Sequence, residues 1–168
     1  RLGIPQEDSY DRTHPLSGER ISILQDAYQA DPAWNTPPNA KWQQDFLRVK
    51  AKLMGFIDDP KNTIRDYPEY DKSVPARYAR AYAWHKWAYP EKALKEASSL
   101  VEAAPNDPYF LELFGQIQLE SGHPEEAISP LRKAVELSQS QPLIAASLGH
   151  ALIATEDKAN LEEATRVL

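Results

Sequence analysis

Apolar residues along this chain recur at helical spacing. Ile21, Leu24, Ala27 and Tyr28 fall at +3, +6 and +7 and predict a helix over about Glu19–Ala30. Asp31-Pro32 stops it, because proline disfavours α geometry in the residue before it. Residues 31–40, with Pro32, Asn35, Pro37, Pro38 and Asn39, read as a loop. Trp42, Phe46, Val49, Leu53 and Phe56 then step by +4, +3, +4 and +3, an amphipathic face on a helix over Lys41–Ile57. Lys41, Arg48, Lys50 and Lys52 lie mostly off that face and read as solvated. Asp59-Pro60 pairs an N-cap with proline at the first helical position and starts a short helix through Asp66. Tyr67–Ser73 reads as a linker. Residues 1–18, rich in Pro, Asp, Ser and Gly, read as an extended loop.

From Val74 onward the pattern repeats. Ala81, Gly115 and Gly149 are each 34 residues apart, as are Pro90 and Pro124, Ala93 and Ala127, and Pro108 and Pro142. A 34-residue period of paired helices is the signature of tetratricopeptide (TPR) repeats. The expected fold is all-α, a right-handed superhelix of TPR hairpins preceded by an extended loop and extra helices. Residues 1–73 form the leading segment. Residues 74–168 form three repeats, 74–107, 108–141 and an incomplete 142–168.

Within repeat 1 the helices are expected at about Val74–Ala88 and Glu91–Ala104. In repeat 2 Gly122 closes the first helix, and the second runs Pro124–Leu137. Pro130 inside it predicts a bend, since an interior proline costs about 3 kcal/mol. Repeat 3 starts at Pro142 and has a loop three residues longer. Asn160 and Glu163 read as a capping box for its last helix. Small residues belong where paired helices touch: Ala81, Gly115 and Gly149 on the first helix, Ala93, Ala127 and Ala164 on the second. Leu111, Phe114, Leu119, Ile128, Leu131 and Val135 fill between. No repeat buries its face alone, so stacking is compulsory. The helices over 41–66 are expected to cover the bare end of repeat 1.

Composition then narrows the function. Hydrophobic residues make up 42%, enough for a core, and the net charge is −6. An acidic surface without a basic cluster argues against nucleic acid as partner. There is no cysteine, so no disulfide, thiolate zinc ligand or cysteine nucleophile. The stretch Ser138–Thr155, free of Asp, Glu, Lys and Arg, is too polar for a membrane span. The four histidines start no His-Glu-x-x-His motif, and no P-loop, dinucleotide fingerprint or Gly-x-Ser-x-Gly elbow is present. The chain itself reads as non-catalytic and without a cofactor.

The TPR resemblance implies a concave groove lined by fixed positions of each repeat. In repeat 1 these are Pro75, Tyr78, Tyr82, His85 and Lys86. In repeat 2 they are Tyr109, Glu112, Gln116, Leu119 and Glu120. In repeat 3 they are Leu143, Ala146, His150, Ile153 and Ala154. The candidate peptide-binding residues are Tyr78, Tyr82, His85, Tyr109, Glu112, Gln116 and His150, because tyrosine offers large contact area at low entropic cost. Tyr78 and Tyr82 stand where chaperone-binding TPRs carry the Lys and Asn of a carboxylate clamp, which argues against a chaperone adaptor. Trp84 and Trp87 read as core.

Two stretches carry a more specific likeness. Arg12-Thr13-His14-Pro15-Leu16-Ser17-Gly18-Glu19-Arg20-Ile21 is one, and Lys50-Ala51-Lys52-Leu53-Met54-Gly55-Phe56-Ile57-Asp58 is the other. With Val74–Ala81 and Asn106–Gln116 they resemble the segment after the protease domain in BepA-like bacterial zinc metallopeptidases of the Ste/HtpX gluzincin type. The resemblance implies a catalytic domain and zinc outside this chain, with His14 as a possible regulatory zinc ligand in the intact protein. It implies a bacterial periplasmic or membrane-associated setting, and a TPR that recruits protein substrates or partners and packs on its own protease domain. The alternative is a free-standing TPR adaptor binding peptides. Self-association is a further possibility, since the final helix leaves an apolar face open.

Overall fold

A computed structural model describes residues 17–168. The fold is all-α. The described residues form nine α-helices and one short 3-10 turn, with no strand among them. The chain divides into two compact units, residues 1–42 and 43–168.

In the first unit, α1 spans Ser17–Ala30 and a 3-10 turn spans Pro32–Asn35. Asp31 caps that turn, its carboxylate accepting from the Ala33 amide at 2.7 Å. The loop expected over 31–40 therefore contains one ordered turn. Asn39 Oδ1 accepts from the amides of Lys41 and Trp42 and so caps the start of α2 (Ala40–Ile57). The apolar stripe of α1 is exposed, with Ile21, Leu24 and Tyr28 at least half open to solvent.

The second unit takes up α2 from Gln43 and continues through α3 (Pro60–Asp66), α4 (Val74–Lys86), α5 (Pro90–Ala103), α6 (Pro108–Glu120), α7 (Pro124–Leu137), α8 (Pro142–Ala154) and α9 (Lys158–Val167). All five helices from α4 to α8 place proline in their first two positions, where its missing N–H costs nothing. They pair as TPR-like hairpins, α4 with α5, α6 with α7 and α8 with α9.

The small-residue register is visible as contact. Ala81, Ala93 and Ala97 are fully buried. A Cβ on Gly115 would lie 2.5 Å from Leu131 Cγ, and one on Gly149 would lie 2.7 Å from the Leu168 side chain. The separations, 16 residues in one hairpin and 19 in the next, absorb the longer third loop. The turns repeat too. Ala88, Gly122 and Glu156, again 34 residues apart, all have left-handed backbone, with φ of 60°, 86° and 56°.

α7 runs over Pro124–Leu137 with Pro130 inside it and with Ala127, Ile128, Leu131 and Ala134 buried around it. One detail departs from the sequence expectation. The last helix is capped not by Asn160 but by Asp157, which accepts from Ala159 N at 2.9 Å and Asn160 N at 3.1 Å. Glu163 instead forms a two-pronged ion pair with Arg132 of α7, both contacts at 2.9 Å.

One anchor has no counterpart in the sequence reading. Arg80 of α4 is fully buried. Its guanidinium donates to Glu96 of α5 at 2.7 and 3.2 Å and to the carbonyls of Tyr67, Pro68 and Asp71 at 3.3, 2.8 and 2.8 Å. It thereby ties the α3–α4 linker to the first hairpin.

Candidate protein-binding face

The TPR pattern assigns one face of α4, α6 and α8 to the groove. In the structure the first part of that face is already covered. Tyr78 and Tyr82 are only 2% and 8% exposed, so neither offers the free aromatic wall expected of it. Their rings pack edge-on at 5.4 Å, Tyr78 meets Phe110 at 5.1 Å, and Tyr82 meets Phe56 of α2 at 6.2 Å.

The covering element is α2, and it is turned the opposite way from its pattern. Phe46, Val49, Leu53 and Phe56 remain more than half exposed. The packed side is small and cationic: Arg48, Ala51, Lys52 and Gly55, at i, i+3, i+4 and i+7. Gly55 makes the approach possible, because a Cβ there would come within 2.5 Å of the Ala79 carbonyl oxygen. Arg48 is not solvated. It donates to Asp107 Oδ1 at 2.6 Å, and its guanidinium lies 4.2 Å from the centre of the Phe110 ring. Lys52 Nζ lies 4.0 Å from Glu112 and within cation–π range of the Tyr82 and Tyr109 rings at 5.9 and 5.8 Å. At the far end Lys86 Nζ donates to the carbonyls of Phe56, Ile57 and Asp58 at 3.3, 3.2 and 2.9 Å. Those are orphan acceptors at a helix C-terminus, where a cation is favoured.

The electrostatics follow from this covering. Burial raises the phenol pKa of both Tyr78 and Tyr82, keeping them neutral. Burial also pushes the Glu112 carboxyl up, with Lys52 opposing. Tyr109, half-open, borders a cavity of about 380 Å³ with Asp45, Arg48, Val49, Lys52 and Tyr78.

Beyond α2 the face opens. A cavity of about 500 Å³ is lined by Gly55, Phe56, Tyr82, His85, Lys86, Gln116 and Glu120. His85 Nε2 and Glu120 Oε2 are 2.6 Å apart, and Gln116 Nε2 donates to the other carboxylate oxygen at 2.8 Å. Burial pushes the Glu120 carboxyl up, but the Gln116 and His85 contacts outweigh it and hold the carboxyl below its ordinary range. His85, Gln116 and Glu120 thus form one cluster. His150 is exposed on α8 and has no hydrogen bond in common with them. Around His150, α8 carries no formal charge, and it leaves Leu143 80% and Ile153 45% exposed. An amphipathic surface helix normally turns charge outward. This one turns leucine and isoleucine outward at groove positions.

Arg48, Lys52 and Gly55 were missed as participants. Their spacing as a second face of α2 was the available signal. His14 lies outside the described residues. Among the described residues no group of three or more His, Asp or Glu could hold a metal, and no helix is long and apolar enough to cross a membrane. The arrangement provides an aromatic, acidic and apolar surface suited to holding a polypeptide.

Comparison with known proteins gives the setting. No protein-family profile and no solved structure matches. The chain is similar to the β-barrel assembly-enhancing protease of Yersinia pestis, 27% identical over 150 residues, covering 84% of this chain and 30% of that protein. It is also similar to the protein of the same name from Escherichia coli K12, 24% identical over 148 residues, covering 84% and 29%. The chain therefore spans about three-tenths of the length of the curated relatives it matches.

Proposed function

We propose that this chain is the non-catalytic, TPR-like interaction region of a zinc-dependent envelope metallopeptidase, and that it recruits or positions protein substrates or partners. In this reading residues 74–168 are the repeat scaffold and residues 1–73 lead out of a protease domain. The zinc, the periplasmic setting and a role in envelope protein quality control are what the sequence's resemblance to BepA-like metallopeptidases implies. The observation that carries the binding role is α8, whose uncharged surface presents Leu143 and Ile153 at groove positions. Burying one such side chain against a partner is worth about 1.5–3 kcal/mol.

Leu143→Asp with Ile153→Asp in the intact protease tests it. Association with protein substrate should weaken at least about tenfold, since 1.4 kcal/mol is a factor of ten. The thermal midpoint should fall little, because Leu143 is 80% and Ile153 45% exposed already. Undiminished association in a folded variant would refute the assignment.

A further inference from the structure

The contacts of α2 describe a ligand as much as a structural element. It lies on groove positions of the first helices of two hairpins, Tyr78 and Tyr82 of α4 and Tyr109 and Glu112 of α6. It is held through its polar side. Arg48 reaches Asp107, Lys52 reaches Glu112, and Gly55 seats against the α4 backbone. Its apolar side, Phe46, Val49, Leu53 and Phe56, meets solvent.

We propose that the aromatic–acidic half of this face is a receptor for a basic helix, with cations at i and i+4 and small residues at i+3 and i+7. The segment 43–57 fills it in cis, and a partner helix of the same pattern takes its place. The proposal rests on reading this face as protein-binding and names the partner's chemistry. Three observations select a helix of this kind. The receptor surface pairs edge-packed aromatic rings with carboxylates, the combination that holds cations by ion pairing and cation–π contact together. The close approach at Ala79 admits only a residue without a Cβ. The Lys86 ammonium is aimed at the carbonyls that end a helix, a feature an extended peptide does not present.

The cis occupant is also displaceable on physical grounds. Its hold is largely ionic, and partly exposed ion pairs weaken with salt. Its apolar stripe stays more than half exposed, with only the Phe56 ring meeting Tyr82, so a partner that covers the stripe draws the helix away.

The test uses a fluorescently labelled peptide copying residues 43–57, titrated into this chain and two variants. Gly55→Leu forces α2 off the Ala79 backbone. Arg48→Ala with Lys52→Ala weakens the cis contact and leaves the backbone untouched, so it decides the matter if Gly55→Leu does not fold. Weakening a cis competitor raises apparent trans affinity, and the peptide is expected to bind the variants at least about tenfold tighter than the wild-type chain. A peptide carrying Arg48→Glu and Lys52→Glu should not bind. Equal affinity for wild type and variants, binding of the charge-reversed peptide, or no binding to a folded variant would each overturn the proposal. Leu143→Asp with Ile153→Asp should leave this exchange unchanged, so failure here and failure of the recruitment role are separable.

Discussion

Replacing Arg80 by methionine removes the buried cation that ties the 67–73 linker to α4 and α5, while keeping an unbranched side chain of similar reach. Glu96 then loses both its hydrogen bonds to the guanidinium, and the carbonyls of Tyr67, Pro68 and Asp71 lose a buried donor. Breaking a buried ion pair from one side costs about 3–5 kcal/mol. The Glu96 side chain retains 18% exposure, so water can reach the orphaned carboxylate and the lower end applies. A loss of about 3 kcal/mol is a large fraction of the roughly 5–15 kcal/mol that holds a domain together. With a urea slope of about 1–3 kcal/mol/M, the midpoint should fall by about 1–3 M. Urea titration followed by far-UV circular dichroism measures it. Tryptophan fluorescence gives a local second signal, since Trp84 and Trp87 stack at 5.6 Å on the same hairpin. Arg80→Met combined with Glu96→Leu should recover at least about 1 kcal/mol, because an unpaired charge is worse than none. A single variant within about 1 kcal/mol of wild type, or a double variant no better than the single, would refute the account.

Other outcomes follow from contacts already described. Gly115→Val should cost about 1–3 kcal/mol, read as a lower thermal midpoint, because the new Cβ overlaps Leu131 Cγ inside a packed hairpin. Glu112→Gln should raise the urea midpoint at pH 7. The raised carboxyl pKa means that folding favours the protonated form. That contribution is therefore complete below the ordinary value of 4.5 and is lost as pH rises through the raised one, so the advantage of glutamine should vanish near pH 4. Arg132→Ala should cost no more than about 1 kcal/mol at pH 7, as exposed pairs do. Arg132 holds the Glu163 carboxyl below its usual 4.5, so the cost should disappear as pH falls past that carboxyl's lowered value, measurable by thermal melts across pH.

The repeat architecture was legible because small residues at a fixed interval reflect a local steric demand. Gly115, Gly149 and Ala81 sit where helices touch, and no side-chain chemistry elsewhere alters that. The orientation of α2 was not legible. Its strongest pattern, Trp42 through Phe56, marks the side with most to gain from burial, yet the second unit buries Ala51 and Gly55 instead. What decided it lies up to 59 residues away, in Asp107, and in a backbone approach that only glycine allows. Arg80 escaped notice for a related reason. An arginine on an alanine-rich helix reads as solvated until the linker carbonyls are placed around it. Among the candidate site residues, sequence position brought His85 and Gln116 to one cavity. It could not show that Tyr78 and Tyr82 would be covered.

The left-handed turns at Ala88, Gly122 and Glu156 show where the repeat is written most deeply. Only one of the three carries the residue for which that conformation is free, and a side chain at such a site costs about 1–2 kcal/mol. Alanine and glutamate adopt it because the helices on either side leave the turn no other path. The period is thus a property of dihedral angles that tertiary packing enforces on unwilling residues. A search for relatives keyed to glycine at this corner would overlook two of this chain's own three hairpins.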